Sequence, residues 1–255
     1  IKYLLRISPA DKYEQKKQEF EYVKQIFSLG IPISEPIEFG IDEEGVYSIE
    51  SYIEGIVAED IISSFSDTEQ YVYGLEAGKY LHKIHSIPSP QHIKSWEERF
   101  NSKIDTKIEK YLTCPIKYEG NQGEILISYI NSHRYLLKNR PQCFQHGDYH
   151  VGNMIIDNDQ KLNIIDFNRV DFGDPWEEFN RIVFSVKRSP LFSSGLINGY
   201  FENNVPNEFW QLLVLYIACN TLSSLEWSIQ FGQEEIDNMK KNCNELLEWY
   251  NGMET

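Results

Sequence analysis

Asp148, Asp166, Asn153, His146 and His150 share the stretch QHGDYHVGNMIIDNDQKLNIIDFNR, residues 145–169. Asp148 and Asn153 stand five positions apart on a loop ahead of one short apolar run, and Asp166 closes a second. Runs such as MII and LNII read as buried strands, and charged groups at the ends of buried strands are costly unless partnered or employed. The layout suits phosphoryl transfer. A D-x-x-x-x-N loop places a proton acceptor at its start and a metal ligand at its end, and an antiparallel hairpin brings a later Asp back beside that ligand. The competing chemistry is a two-metal phosphoesterase, in which His or Asp would bridge metals. It needs more ligands, and the sequence has neither an Asp-x-His upstream nor a Gly-Asn-His downstream.

The elements that must position these residues belong to a folded chain of 255 residues, 41% apolar and 14% aromatic. Lys and Arg number 24 against 39 Asp and Glu, a net charge of −15, which argues against nucleic acid or an anionic membrane as partner. Cys114, Cys143, Cys219 and Cys243 lie far apart without zinc-site spacing, as expected of reduced core residues in a cytoplasmic protein. The run FWQLLVLYIAC, Phe209 to Cys219, reads as a core helix too short to span a bilayer, and no signal peptide is visible. The sequence opens at Ile1 inside an apparent strand, so further residues are expected before it.

IKYLLRI reads as a strand, and DKYEQKKQEFEYVKQIFSLG as a helix stopped by Gly30. IEFGI and VYSIESYI form a hairpin around Asp42 to Gly45. Beyond Gly55 the pattern turns helical, with Asp67 and Gln70 as a capping box. Asp174, Pro175 and Glu177 read as an N-cap, a first-turn proline and a capping-box acid.

HGDYHVGN followed by IIDFNR and FGDPWEEFNR resembles the aminoglycoside phosphotransferase family, the small-molecule branch of the protein-kinase-like fold. GKYLHKIHSIP and IESYIEG resemble that family's first large helix and interlobe linker, so the likeness spans nearly the whole chain. It implies a two-lobed α+β fold, with an N-lobe over residues 1–53 and a helical C-lobe over 54–255. It also implies transfer of a phosphoryl group from ATP or GTP, with Mg2+, to the hydroxyl of a small molecule, by a monomer or dimer.

By this resemblance Asp148 is the catalytic base, Asn153 and Asp166 are the magnesium ligands, and His146 braces the loop. Asn168 replaces the family's usual glycine at the turn after Asp166 and would take its left-handed backbone. Arg169 would steady the metal-binding strand through a salt bridge. On the N-lobe, Arg6 stands where a phosphate-contacting lysine is usual, with Glu19 as its ion-pair partner, and Ser51 and Ile53 would offer backbone groups to the adenine. The net charge, with Asp171, Glu177, Glu178 and Glu226 near the site, leads to the expectation of a cationic acceptor, an aminoglycoside antibiotic or amino alcohol, with Glu178 and Glu226 as its wall. The alternative is a non-enzymatic nucleotide sensor of pseudokinase type, suggested by Arg6 and by the absence of a glycine-bearing phosphate loop.

Overall fold

The computed structural model describes residues 2–253; Ile1, read above as part of the first strand, lies outside them. In chain order the elements are β1 (Tyr3–Ser8), α1 (Tyr13–Ser28), β2 (Pro36–Ile41), β3 (Val46–Ser51), β4 (Gly55–Val57), α2 (Ala58–Ile61), α3 (Asp67–Ile84), α4 (Trp96–Thr113) and α5 (Gln122–His133). There follow β5 (Cys143–Gln145), β6 (Met154–Asp157), β7 (Leu162–Ile164), β8 (Asp171–Gly173), α6 (Ile182–Arg188), α7 (Pro190–Tyr200), α8 (Asn207–Ser228) and α9 (Gln233–Trp249). Two compact units result, Ile1–Ser89 with Cys143–Val205 and Pro90–Gln142 with Pro206–Thr255. The expected boundary after residue 53 is not where the chain divides, because β5 to α7 return to pack with the N-terminal elements.

In the first unit, β1, β3 and β2 form an antiparallel sheet in that order, with Arg6 opposite Ser48 and Leu4 opposite Glu50. Side chains alternate across a strand. Leu4, Arg6 and Ser8 therefore turn inward, while Tyr3, Leu5 and Ile7 are half exposed on the outer face of this edge strand. Gly30, at φ +70°, ends α1 in the left-handed conformation. The capping box of α3 is Ser66 with Glu69, one position earlier than expected. Ser66 is extended, so its hydroxyl reaches the Glu69 N–H while the Glu69 carboxylate accepts from the Ser66 N–H at 2.9 Å.

Helices α3 and α7 approach backbone to backbone. A Cβ on Gly74 would lie 2.1 Å from the Phe192 carbonyl oxygen, one on Gly78 2.2 Å from that of Leu196, and one on Gly199 2.2 Å from that of Leu75. That approach brings Tyr200 of α7 to the histidines of α3: its hydroxyl meets His85 Nδ1 at 2.9 Å and its carbonyl oxygen meets His82 Nδ1 at 2.9 Å.

The second unit is helical, built from α4, α5, α8 and α9. Trp96 stacks on Phe100 at 4.9 Å and donates to the Tyr216 hydroxyl at 2.9 Å. The segment Asn207–Phe231 is, by length and composition, long and apolar enough to cross a bilayer, contrary to the shorter run read from sequence. Its most apolar stretch is 61% buried among its neighbours, the environment of a core helix.

Candidate active site

The polar stretch forms a loop after β5, which pairs with β8. His146 is fully buried. Its Nδ1 accepts the Asp148 N–H at 3.3 Å, so its Nε2 carries the proton and donates to the Ile165 carbonyl at 2.9 Å. Gly147 has φ +85°, and a Cβ there would sit 2.0 Å from the Arg169 carbonyl oxygen, so glycine alone fits. Its N–H donates to Glu178 Oε1 at 2.8 Å. Tyr149 anchors the loop to α3 by donating to the Ala77 carbonyl at 2.7 Å.

Asp148 is held among positive charges. Arg169 Nη1 lies 3.2 Å from Oδ2 and Arg181 Nε 3.2 Å from Oδ1, while His150 Nε2 is 3.6 Å from Oδ1. Burial holds the His150 pKa below its ordinary value, against the opposing pull of Asp148 and with help from Arg181. His150 also accepts the Gly152 N–H at 3.0 Å, capping the short turn Val151–Asn153. Arg169, expected to brace the metal-binding strand, ion-pairs with Asp148 instead. Both guanidiniums are close to Asp148 without hydrogen-bond geometry, and Arg181 Nε is buried with no hydrogen-bond partner among the described residues.

Asn153 donates from Nδ2 to the Asp148 carbonyl at 2.8 Å, which leaves its Oδ1 as the free acceptor. The hairpin of β6 and β7 pairs Met154 with Ile164, and the Ile165 N–H donates to the Asn153 carbonyl at 3.0 Å. Asp166 thus returns beside Asn153. The left-handed residue of the turn is Asp166 itself, at φ 69° and ψ 57°, rather than Asn168. Asn168 lies in the 3-10 turn that follows, with its amide donating to Asp166 Oδ1.

A cleft of about 280 Å³ opens between the N-terminal sheet, α1 and the Asp166–Asn168 turn. Arg6, Lys16, Glu19, Glu50, Ser51 and Ile53 all line it. The expected Arg6–Glu19 pair is replaced by two others. Lys16 reaches Glu19 within one turn of α1 at 2.6 Å, and Arg6 lies 3.7 Å from Glu50 on β3. Burial raises the Glu50 pKa, with Arg6 opposing the shift. Of the backbone groups of Ser51, the N–H is taken by the Glu35 carbonyl at 2.9 Å.

The acids expected to form an acceptor wall have other work. Glu178 is 2% exposed and holds the loop after β5 through Gly147, so it cannot meet a solute. Glu226, in the second unit, lies 3.6 Å from Lys110. Asp171 Oδ1 accepts the Phe172 N–H at 2.8 Å. Asp174 is fully buried and accepts the Trp176 N–H at 3.0 Å, while Glu177 accepts from Gln145 and Asn180. Arg181 and Lys16 escaped sequence reasoning; both stand among helical acids at spacings that suggest ordinary surface pairs.

Among the described residues no three His, Cys, Asp or Glu cluster as a metal site. The pair Asn153 Oδ1 and Asp166 nonetheless offers the hard oxygen donors that Mg2+ takes in ones or twos, with water and phosphate completing its shell.

A family model described as "Phosphotransferase enzyme family" matches residues 2–209. Acyl-CoA dehydrogenase family member 11 of Homo sapiens is 21% identical over 242 residues, covering 88% of this chain and 30% of that protein, so the chain spans less than a third of this relative. Among solved structures, a choline/ethanolamine kinase family protein from Mesorhizobium loti superposes with a TM-score of 0.68 at 17% identity, covering 96% of this chain and 82% of that one. The apo form of a thermostable mutant of aminoglycoside phosphotransferase APH(4)-Ia gives 0.70 at 18% identity, covering 99% and 88%. A further thermostable variant of that enzyme, in a ternary complex with ADP and hygromycin B, gives 0.67 at 19% identity, covering 96% and 86%. The protein-kinase-like α+β fold is thereby shown.

Proposed function

Because the chain belongs to the phosphotransferase enzyme family, we propose that it transfers the γ-phosphoryl group of ATP or GTP to the hydroxyl of a small molecule. The observation that carries this reading is the convergence of Asp148, Asn153 and Asp166: one loop holds the first two, and the hairpin returns the third beside Asn153. The nucleotide occupies the cleft lined by Arg6, Lys16 and Asp166, and Ile53 meets the adenine edge with its backbone. Asn153 and Asp166 hold Mg2+, which when bound neutralises charge on the phosphates. Asp148 orients the acceptor hydroxyl and takes its proton. ADP in a related structure supports a nucleotide in this cleft. Four buried thiols suit a reducing compartment such as the cytoplasm.

The test is Asp148→Asn. It is expected to lower kcat by about 10²–10⁴-fold while leaving nucleotide affinity intact; loss of binding without loss of turnover would sink the assignment. A nucleotide sensor is the second reading, favoured by the pairing of Arg6 with Glu50. It requires that no alcohol stimulates nucleotide turnover in the parent protein.

A further inference from the structure

We propose that the acceptor alcohol carries an anionic group, a carboxylate or a phosphate, which the guanidiniums of Arg169 and Arg181 receive beside Asp148. This rests on the phosphotransferase reading and names the substrate class for that site.

The charge arrangement points there first. Two guanidiniums share one carboxylate, each at 3.2 Å, in a chain whose net charge is −15. Of the acids near this loop, Glu59 pairs with Arg188 at 3.0 Å. Glu178 faces Gly147 and His85.

Hydrogen bonding points the same way. Arginine presents five N–H donors in a planar fork that matches carboxylate and phosphate oxygens. Neither Arg169 nor Arg181 makes a hydrogen bond to a protein acceptor among the described residues, and the buried Arg181 Nε meets Asp148 Oδ1 at 3.2 Å only as an ion-pair contact. Buried donors are rarely left so. Arg169, with 59% of its side chain exposed, leaves the approach open.

The anion is the acceptor's rather than the nucleotide's. Asp166 and Asn168 line the nucleotide cleft, whereas Asp148, Arg169 and Arg181 do not. In-line transfer sets the attacking oxygen opposite the leaving group, so the base marks the acceptor side. An oxyanion arriving there competes with Asp148 for the guanidiniums and frees its carboxylate. The hydroxyl proton then passes to Asp148, the acceptor oxygen bonds to the γ-phosphorus, and the bond to the nucleoside diphosphate breaks.

Nucleotide turnover with matched acceptors tests this. Hydroxy acids are set beside their neutral amides, and phosphate monoesters of diols beside the free diols, with choline and an aminoglycoside as cationic members. The anionic members should exceed their neutral partners by about ten- to a hundredfold in kcat/KM, and whether carboxylates or phosphates lead identifies the group. Combining Arg169→Gln with Arg181→Gln should abolish the preference without changing the nucleotide KM. Arg181→Lys should restore part of it. If thermal melting shows the double variant unfolded, Arg169→Gln alone, at an exposed site, decides the matter by the size of its loss. Neutral or cationic acceptors used as well as anionic ones, or a preference that survives the Gln variants, would overturn the proposal. Magnesium-dependent nucleotide binding with no turnover on any alcohol would instead defeat the phosphotransferase reading, and this inference with it.

Discussion

Asp166 has two tasks that a single side chain seldom combines: it bends the chain in a left-handed conformation and presents a carboxylate beside Asn153. Asp tolerates that backbone better than most residues. Asp166→Ala should therefore abolish the gain in nucleotide affinity on adding magnesium, measured by titration with and without the metal; equal gains in variant and parent would remove Asp166 from the metal site. His150 gives a second expectation at this scale. Burial holds its folded pKa below the unfolded value, so the unfolded chain binds the proton more readily. The stability that His150 contributes is complete above its ordinary value of 6.5 and is lost as pH falls through the folded pKa. Urea unfolding at descending pH should show a smaller acid loss for His150→Gln than for the parent. Asp148, Asn153 and Asp166 were legible in sequence because their spacing is local to one loop and one hairpin. Arg181 was not, since its partner is reached only when the chain after β8 folds back on the loop, and Arg6 was assigned the wrong acid because register across β1 and β3 decides which carboxylate it meets.

At the scale of elements, the α3–α7 pair supports the loop from behind. Tyr200 holds His85, which faces Glu178 at 3.7 Å, and Glu178 in turn holds Gly147 next to Asp148. Gly78→Ala would set a methyl 2.2 Å from one backbone atom and 2.5 Å from another, neither of which can rotate away. The helices must part, at a cost of about 1–3 kcal/mol by the usual measure of overpacking. A lower urea midpoint together with reduced kcat is the expected result, and an unchanged midpoint would show that the helices separate freely. Strand and helix types were readable from periodicity, as was the Asp42–Gly45 turn. The close helix crossing was hidden because its two Gly-x-x-x-Gly halves, Gly74 with Gly78 and Gly195 with Gly199, lie far apart in sequence.

For the molecule as a whole, the sequence suggested a single cut where strands give way to helices. Compactness instead follows long-range packing, which makes the first unit discontinuous and leaves Pro90–Gln142 to the second. The charge of −15 was read as a lure for a cationic acceptor, yet of the two acids expected as its wall Glu178 is buried against Gly147, and Glu226, 41% exposed, pairs with Lys110. That charge has a colloidal role when set against the outer row of β1. Tyr3, Leu5 and Ile7 stand on its outer face at 56%, 57% and 50% exposure, an apolar row. Like-charged chains repel over a Debye length of about 10 Å at 0.1 M salt and roughly 3 Å at 1 M. Light scattering should therefore rise as sodium chloride is added, the reverse of a protein whose copies attract through charge, and Leu5→Lys should flatten the rise without altering nucleotide affinity; scattering indifferent to salt in the parent would show that the row is inert. Electrostatic repulsion between copies, on this account, is what keeps an exposed apolar row from becoming an association surface.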